Sequence, residues 1–156
     1  MQGVWDEYKA QGTSGRTPFS VVGSDTEVAP FDSIPNDLLD NILQVPVVLV
    51  IAADLSLISM MDKDLDRAPL SGGASIYPFC WNLLLAARAH GLGGVMTTFL
   101  ARAEPEAATL LALPPNFAIA ATVFIGHPIH QPTKLRRNPV ESFTTIDSFA
   151  GRPFHG

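Results

Sequence analysis

The 156-residue chain has one cysteine, Cys80, so no disulfide can form within it, and a lone thiol fits a reducing compartment. Charged residues are scarce, 16% against 47% hydrophobic. That balance excludes a disordered chain, because there is enough apolar surface to offset the entropy of ordering. Positive charge is in deficit, with a formal net charge of −5, which removes any general electrostatic attraction to nucleic acid. Residues Met1 to Glu7 lack the basic and apolar regions of a signal peptide. The longest apolar run, Ile76 to Val95, nearly reaches bilayer length. It carries Asn82, Arg88 and His90 and has Pro78 near its start, so it reads as core. These absences point to a cytoplasmic chain with no membrane and no nucleic-acid partner.

The usual catalytic signatures are missing too. There is no G-x-S-x-G, no C-x-x-C and no Walker motif. His127 and His130 share an i, i+3 spacing, but no carboxylate or cysteine lies close in sequence, and zinc needs three or four converging ligands. Cys80 sits in an apolar helix and reads as a core thiol. Asp62, Asp64 and Asp66 alternate like the start of a calcium loop. Arg67 stands where the loop needs glycine, and Gly73 where it needs a bidentate acid, so the stretch reads as a solvated turn.

What is present is organised around Gly73 to Gly94. Ser75 is a candidate N-cap, Pro78 falls in the first turn where a missing N–H is tolerated, and Gly91 fits the C′ position. Between them, Ile76 to Ala89 is apolar on nearly every side, interrupted by Asn82 and Arg88. Such a helix must be covered all round, by its own domain and by a partner subunit, so a symmetric dimer is expected. Gly93 to Thr98 reads as a strand whose glycines admit a close backbone or a flat ligand.

Elsewhere, Val4 to Tyr8 reads as a short amphipathic helix and Gln11 to Pro35 as a long surface loop. Asn36 is an N-cap candidate for a helix over residues 37–43. Pro46 to Ala53 is a β-branched run typical of a strand buried on both faces. Asp54 to Met61 reads as a short helix. Pro105 to Leu113 reads as a helix with Glu104 and Glu106 at its positive end, and Phe117 to Ile125 as a second long strand. Val140 to Ile146 fits a short helix or strand. No internal repeat or low-complexity segment occurs. Strands alternating with helices predict an α/β or α+β sandwich. Lys134-Leu135-Arg136-Arg137 is the one basic cluster, and by itself reads either as a solvated loop or as a phosphate clamp.

A resemblance sharpens these readings. Asn82-Leu83-Leu84-Leu85-Ala86-Ala87-Arg88-Ala89, then Gly91-Leu92-Gly93, Thr97-Thr98, Pro114 after a leucine-rich helix, and Ala121-Thr122-Val123-Phe124-Ile125-Gly126-His127-Pro128 resemble the C-terminal part of the FMN-dependent nitroreductase family, from about Val45 to about Asp147. The resemblance implies a single α+β domain over residues 1–156. It would be a three-layer sandwich with a central, mainly antiparallel sheet flanked by helices, and a long buried central helix. It implies FMN as cofactor, NADH or NADPH as electron donor, a nitroaromatic or quinone acceptor, and a homodimer. It places Met96, Thr97, Thr98 and Phe99 beside the flavin ring, with a backbone N–H of Thr98 or Phe99 as donor, and Lys134, Arg136 and Arg137 on the phosphate. The Gln11–Pro35 and Ser56–Gly72 segments are expected to set acceptor choice.

The same resemblance implies an arginine- and serine-rich helix start and a Pro, Ser and Asn loop that residues 1–30 do not carry. Arg16 is the only arginine before Arg67. The chain therefore reads as N-terminally short, a short paralogue or a truncated reading frame. The alternative function is a non-catalytic dimer that binds a small molecule or partner in a vestigial flavin cleft.

Overall fold

A ten-residue strand, Phe117–Gly126, forms the middle of the sheet, because its run of alanine, valine, isoleucine and phenylalanine suits a strand covered on both faces. The computed structural model describes residues 1–13, 36–134 and 136–155. Numbered in chain order, the strands are β1 (Val47–Asp54), β2 (Gly93–Thr97) and β3 (Phe117–Gly126), in the spatial order β1-β3-β2 with both pairings antiparallel. The helices are α1 (Gln2–Thr13), α2 (Asp37–Asp40), α3 (Ile76–Ala89) and α4 (Glu104–Leu111).

Register decides which side chains face which layer. Val50 pairs with Thr122 and Phe124 with both Val48 and Val95, so these residues share one face of the sheet. Ile51 pairs with Ala121, but Ala52 pairs with Ile119, leaving Ala120 as a bulged residue. Without that bulge Ile119 would point to the opposite face. With it, Ile119 joins Leu100 and Ala107 in a buried cluster, against which Val50, Leu113 and Met1 pack. A second cluster on this face joins Trp5, Leu39, Ile42 and Phe124, with Phe99 and Val45 against it.

The other face receives α3. Leu84 lies so close to β2 that a Cβ on Gly94 would stand 2.8 Å from its Cδ2 and 2.8 Å from the Phe124 carbonyl oxygen. Only glycine fits there. The result is the expected α+β sandwich: helix, antiparallel sheet, and a layer of shorter helices.

The ends of α3 are made differently from the sequence expectation at one end and as expected at the other. Ser75 is the residue before the helix, but its hydroxyl makes no capping bond, because its backbone has already entered the helical region (φ −96°, ψ −32°). A capping hydroxyl needs an extended backbone to reach back. At the C-terminus Gly91 has φ 75°. Its N–H donates to the Arg88 carbonyl at 3.0 Å, and the Leu92 N–H to the Ala87 carbonyl at 3.0 Å, the paired bonds of a Schellman end. Within the single chain only Cys80 and Ala87 of this helix are fully buried, while Phe79 and Trp81 are each 58% exposed. Its apolar surface exceeds what one chain covers.

Several local expectations are corrected. β1 is at an edge of the described sheet, so Val47 and Val48 are exposed and the strand is half-buried. Residues after Asp54 form one 3-10 turn, Leu55–Leu57, begun by the Asp54 carboxylate accepting the Ser56 N–H at 2.9 Å. Asn36 does cap α2, its Oδ1 accepting the Leu39 N–H at 3.1 Å, but the helix gives way to a 3-10 turn at Ile42–Gln44. α1 runs on to Thr13, through the start of the segment read as a loop, and the remainder of Gln11–Pro35 lies outside the described residues, as does Leu135 of the basic cluster. Val140–Ser142 is a 3-10 turn, followed by an isolated bridge between Thr145 and Pro153.

Candidate functional site

The far end of β2 carries four of the expected site residues. Met96 is half-buried and pairs with Val123 on the α3 face. Thr97 pairs with Thr122 on the opposite face, and Thr122 is 0% exposed. Both hydroxyl oxygens are buried, and neither finds a hydrogen-bond partner among the described residues. Leaving such a group unsatisfied costs about 1–3 kcal/mol, so this cross-strand pair stands out among the buried polar groups of the described residues. Thr98 is exposed and precedes the 3-10 helix Phe99–Ala103. Phe99 turns inward: its ring meets that of Trp5 edge-on, with centroids 6.2 Å apart, and joins the core cluster. Its side chain is therefore structural, which leaves the backbone as its means of touching a ligand.

Trp5 was not among the sequence-level candidates, yet it closes the layer beneath this end of β2. It is buried, and its indole N–H donates to Asp40 Oδ1 at 2.9 Å. That bond, the hydrogen bond to the Asn36 backbone N–H and the nearby Lys9 ammonium hold the Asp40 carboxyl below its ordinary range. Arg102 just after Phe99 forks onto Glu7 of α1 at 2.7 and 3.3 Å, tying the same two elements together. The Glu7 hydrogen bond raises the Arg102 pKa. No sequence pattern joins residues 95 positions apart, so this brace was legible only in three dimensions.

Lys134, Arg136 and Arg137 lie beyond Pro132 on an exposed segment. Arg137 donates from Nη1 to the Arg136 carbonyl at 3.0 Å, and none of the three is in an ion pair among the described residues. Because β3 runs antiparallel to β2, Gly126 lies opposite Gly93. The chain thus leaves the sheet beside the start of β2, and Thr97, where β2 ends, lies about 13 Å further along at 3.3 Å per residue. Lys134, Arg136 and Arg137 follow eight, ten and eleven residues after Gly126.

A cleft of about 1010 Å³ opens at the start of β2, between α3, the α2 region and the 126–132 segment. None of the seven expected site residues lines it. On the segment read as a solvated turn, Asp62 is 8% exposed instead. Its carboxylate accepts the Leu70 N–H at 2.7 Å, the Ser71 hydroxyl and N–H, and Arg67 Nη1 at 2.7 Å. These bonds, the Leu70 N–H foremost, hold its carboxyl far below the ordinary range and fix the loop that leads into α3. Among the described residues no three His, Cys, Asp or Glu side chains converge as metal ligands, and no helix is long and apolar enough to cross a membrane.

Comparison with known proteins adds to this geometry. A family model described as the nitroreductase family matches residues 6–127. That match starts well before Val45, taking in most of α1 and all of α2, and stops before the cationic segment. Among solved structures, NfrA2 of B. megaterium is 25% identical over 67% of this chain and 46% of that one, with a TM-score of 0.52. The hypothetical oxidoreductase YcnD of Bacillus subtilis is 25% identical over 69% and 47%, with a TM-score of 0.54. An NADPH:FMN oxidoreductase from Vibrio harveyi, complexed with NAD+, is 31% identical over 50% and 34%, with a TM-score of 0.45. The chain thus spans between 34% and 47% of the length of these structures. No curated protein matches it.

Proposed function

This chain belongs to the nitroreductase family, and from that premise we propose that it is a flavoprotein oxidoreductase of nitroreductase type. It takes electrons from NADH or NADPH and passes them to a nitroaromatic, quinone or related small acceptor, as a cytoplasmic homodimer of single-domain subunits over residues 1–156. The observation that carries the reading is the buried, unpartnered Thr97–Thr122 hydroxyl pair at the end of β2, at the position where the family resemblance expects the flavin edge.

Bound FMN would supply the hydride-accepting and hydride-donating chemistry. The chain's own residues position and tune it. A backbone N–H of Thr98 or Phe99 would donate toward the flavin edge, where a fixed dipole would stabilise negative charge without reorganising. The Thr97 hydroxyl, without a partner among the described residues, would be open to a hydrogen bond from the bound group. Lys134, Arg136 and Arg137 neutralise the phosphate, with arginine forming the directional bonds. Trp5 and Phe99, packed edge to face, support the strand end from beneath.

Assembly follows from α3. Phe79, Asn82 and Ala86 recur at i, i+3 and i+7 and form an outward stripe. A second copy covers that stripe in the dimer, leaving the separate stripe of Trp81, Leu84, Leu85 and Arg88 on the cleft side.

The test is an absorbance spectrum of the purified protein, with FMN added if needed, followed by NADPH oxidation with a quinone acceptor. Flavin bands, quenched FMN fluorescence and acceptor-dependent oxidation are expected. Colourless protein that leaves FMN fluorescence unchanged at micromolar concentration would refute the reading.

A further inference from the structure

The cleft at the start of β2 has a construction of its own. Trp81, Leu84, Leu85 and Arg88 line one wall at i, i+3, i+4 and i+7, which places one continuous α3 stripe in it. Trp81 presents a largely exposed indole there, and Arg88 an exposed guanidinium that is in no ion pair among the described residues. Gly93, Gly94 and Gly126 let neighbouring groups close directly onto the strands. A Cβ on Gly93 would stand 3.0 Å from Pro128 Cβ, and one on Gly126 3.2 Å from Pro46 Cγ. His127 and His130 stand at the rim, and Gln131 is held there by its side-chain N–H donating to the Leu92 carbonyl at 3.4 Å. Asp37, the one acidic lining residue, belongs to the α2 wall.

We propose that this cleft binds a small planar aromatic carboxylate, distinct from the flavin. The aromatic body lies along the α3 stripe, stacked on the exposed indole of Trp81, because a planar apolar ring matches that flat face and the aliphatic Leu85 beside it. The carboxylate points to Arg88, whose fork donates two parallel hydrogen bonds to one carboxylate group, and away from Asp37. The volume, about 1010 Å³, is at the upper end of the range for small-molecule sites and holds a bicyclic ligand with room for water.

The probes are 2-naphthoate and its neutral counterpart 2-naphthalenemethanol, titrated calorimetrically into the full chain. The carboxylate is expected to bind about tenfold or more tightly than the alcohol, the scale of one charge-assisted pair at a partly exposed site. Arg88→Gln should abolish that preference and leave the alcohol's affinity unchanged, Arg88→Lys should restore part of it, and Trp81→Ala should weaken both probes. Arg88 and Trp81 are exposed, so each variant should keep the wild-type melting temperature. Equal affinity of the two probes, absence of binding at millimolar concentration, an undiminished preference in Arg88→Gln, or displacement of naphthoate by FMN would overturn the proposal, the last by showing the cleft to be the flavin's own.

Discussion

The Glu104 carboxylate accepts the backbone N–H of Ile119 at 2.6 Å, so the first residue of α4 completes the hydrogen bonding of β3 beyond the point where β2 ends at Thr97. The bond joins helix α4 to the strand just beside its bulge. Glu104→Ala leaves a part-buried N–H without an acceptor, at a cost of about 1–3 kcal/mol. For a domain of this size each kcal/mol is about 2–4 °C in melting temperature. Glu104→Gln keeps a neutral acceptor and should lose less. Circular-dichroism melts of the three proteins decide it, and equal melting temperatures would show the bond to be inconsequential.

Asp62 makes stability depend on pH. Its folded-state carboxyl is held far below the ordinary range by the Leu70 N–H, the Ser71 hydroxyl and Arg67. In the unfolded chain it titrates near about 4. The stabilisation is therefore complete above that value and declines as pH falls below it, because the unfolded state then binds the proton that the folded state refuses. Asp62→Asn should be less stable than the wild type at pH 7, and the gap should narrow steadily from pH 5 to pH 3. Urea midpoints over that range provide the measurement, and a gap independent of pH would refute the role.

How much of this was readable in the sequence varies with the kind of signal. α3, β3 and the Gly91 terminus follow from periodicity and from the one residue that adopts a positive φ cheaply. The basic cluster was legible as a cluster, and Met96 to Phe99 were singled out by the resemblance alone. Asp62 was misjudged because alternating acids look solvated. What buries it is a return of the chain at Leu70 and Ser71, eight and nine residues later, which no local pattern encodes. The bulge at Ala120 was likewise invisible, since Ala121-Thr122-Val123 reads as uninterrupted strand, yet the bulge decides which face Ile119 joins. The Thr97–Thr122 pair depends on register across 25 residues and needed coordinates.

Ala112 ends α4 with φ 50° and ψ 43°, a left-handed conformation that costs a residue with a Cβ about 1–2 kcal/mol. Pro114 and Pro115 follow, so the chain has to turn there. Ala112→Gly relieves the strain at some cost in unfolded-state entropy. A net gain of about 0.5–1 kcal/mol is expected, read as a melting temperature higher by about 1–4 °C. A lower melting temperature would mean that the alanine methyl is packed usefully.

The proposed dimer is tested at Phe79, an exposed aromatic on the outward stripe of α3. Sedimentation should show a dimer at low micromolar concentration. Phe79→Lys should give a monomer with an unchanged circular-dichroism spectrum, because the side chain is not part of the single chain's core and a buried unpaired ammonium at an interface costs several kcal/mol. A wild-type chain that sediments as a stable monomer would remove the dimer from the proposal.

Arg137 carries the sharpest prediction for the flavin. It stands beside Asn138 and Pro139, and the proline, at φ −59°, restricts Asn138 to extended conformations and stiffens the approach. The guanidinium has only the Arg136 carbonyl as a partner among the described residues, so it is available to a phosphate. A charge-assisted hydrogen bond contributes about 1.5–3 kcal/mol, and removing it by Arg137→Ala should weaken FMN about ten- to a hundredfold. Riboflavin has the same ring system and no phosphate, so its affinity should barely change. A folding defect would weaken both ligands together, which makes the ratio of the two dissociation constants the quantity to measure by flavin fluorescence quenching. The ratio should also fall with rising salt in the wild type and lose most of that dependence in Arg137→Ala, since an exposed ion pair is screened. Equal losses for FMN and riboflavin, or none for either, would show Arg137 to be a solvated loop residue.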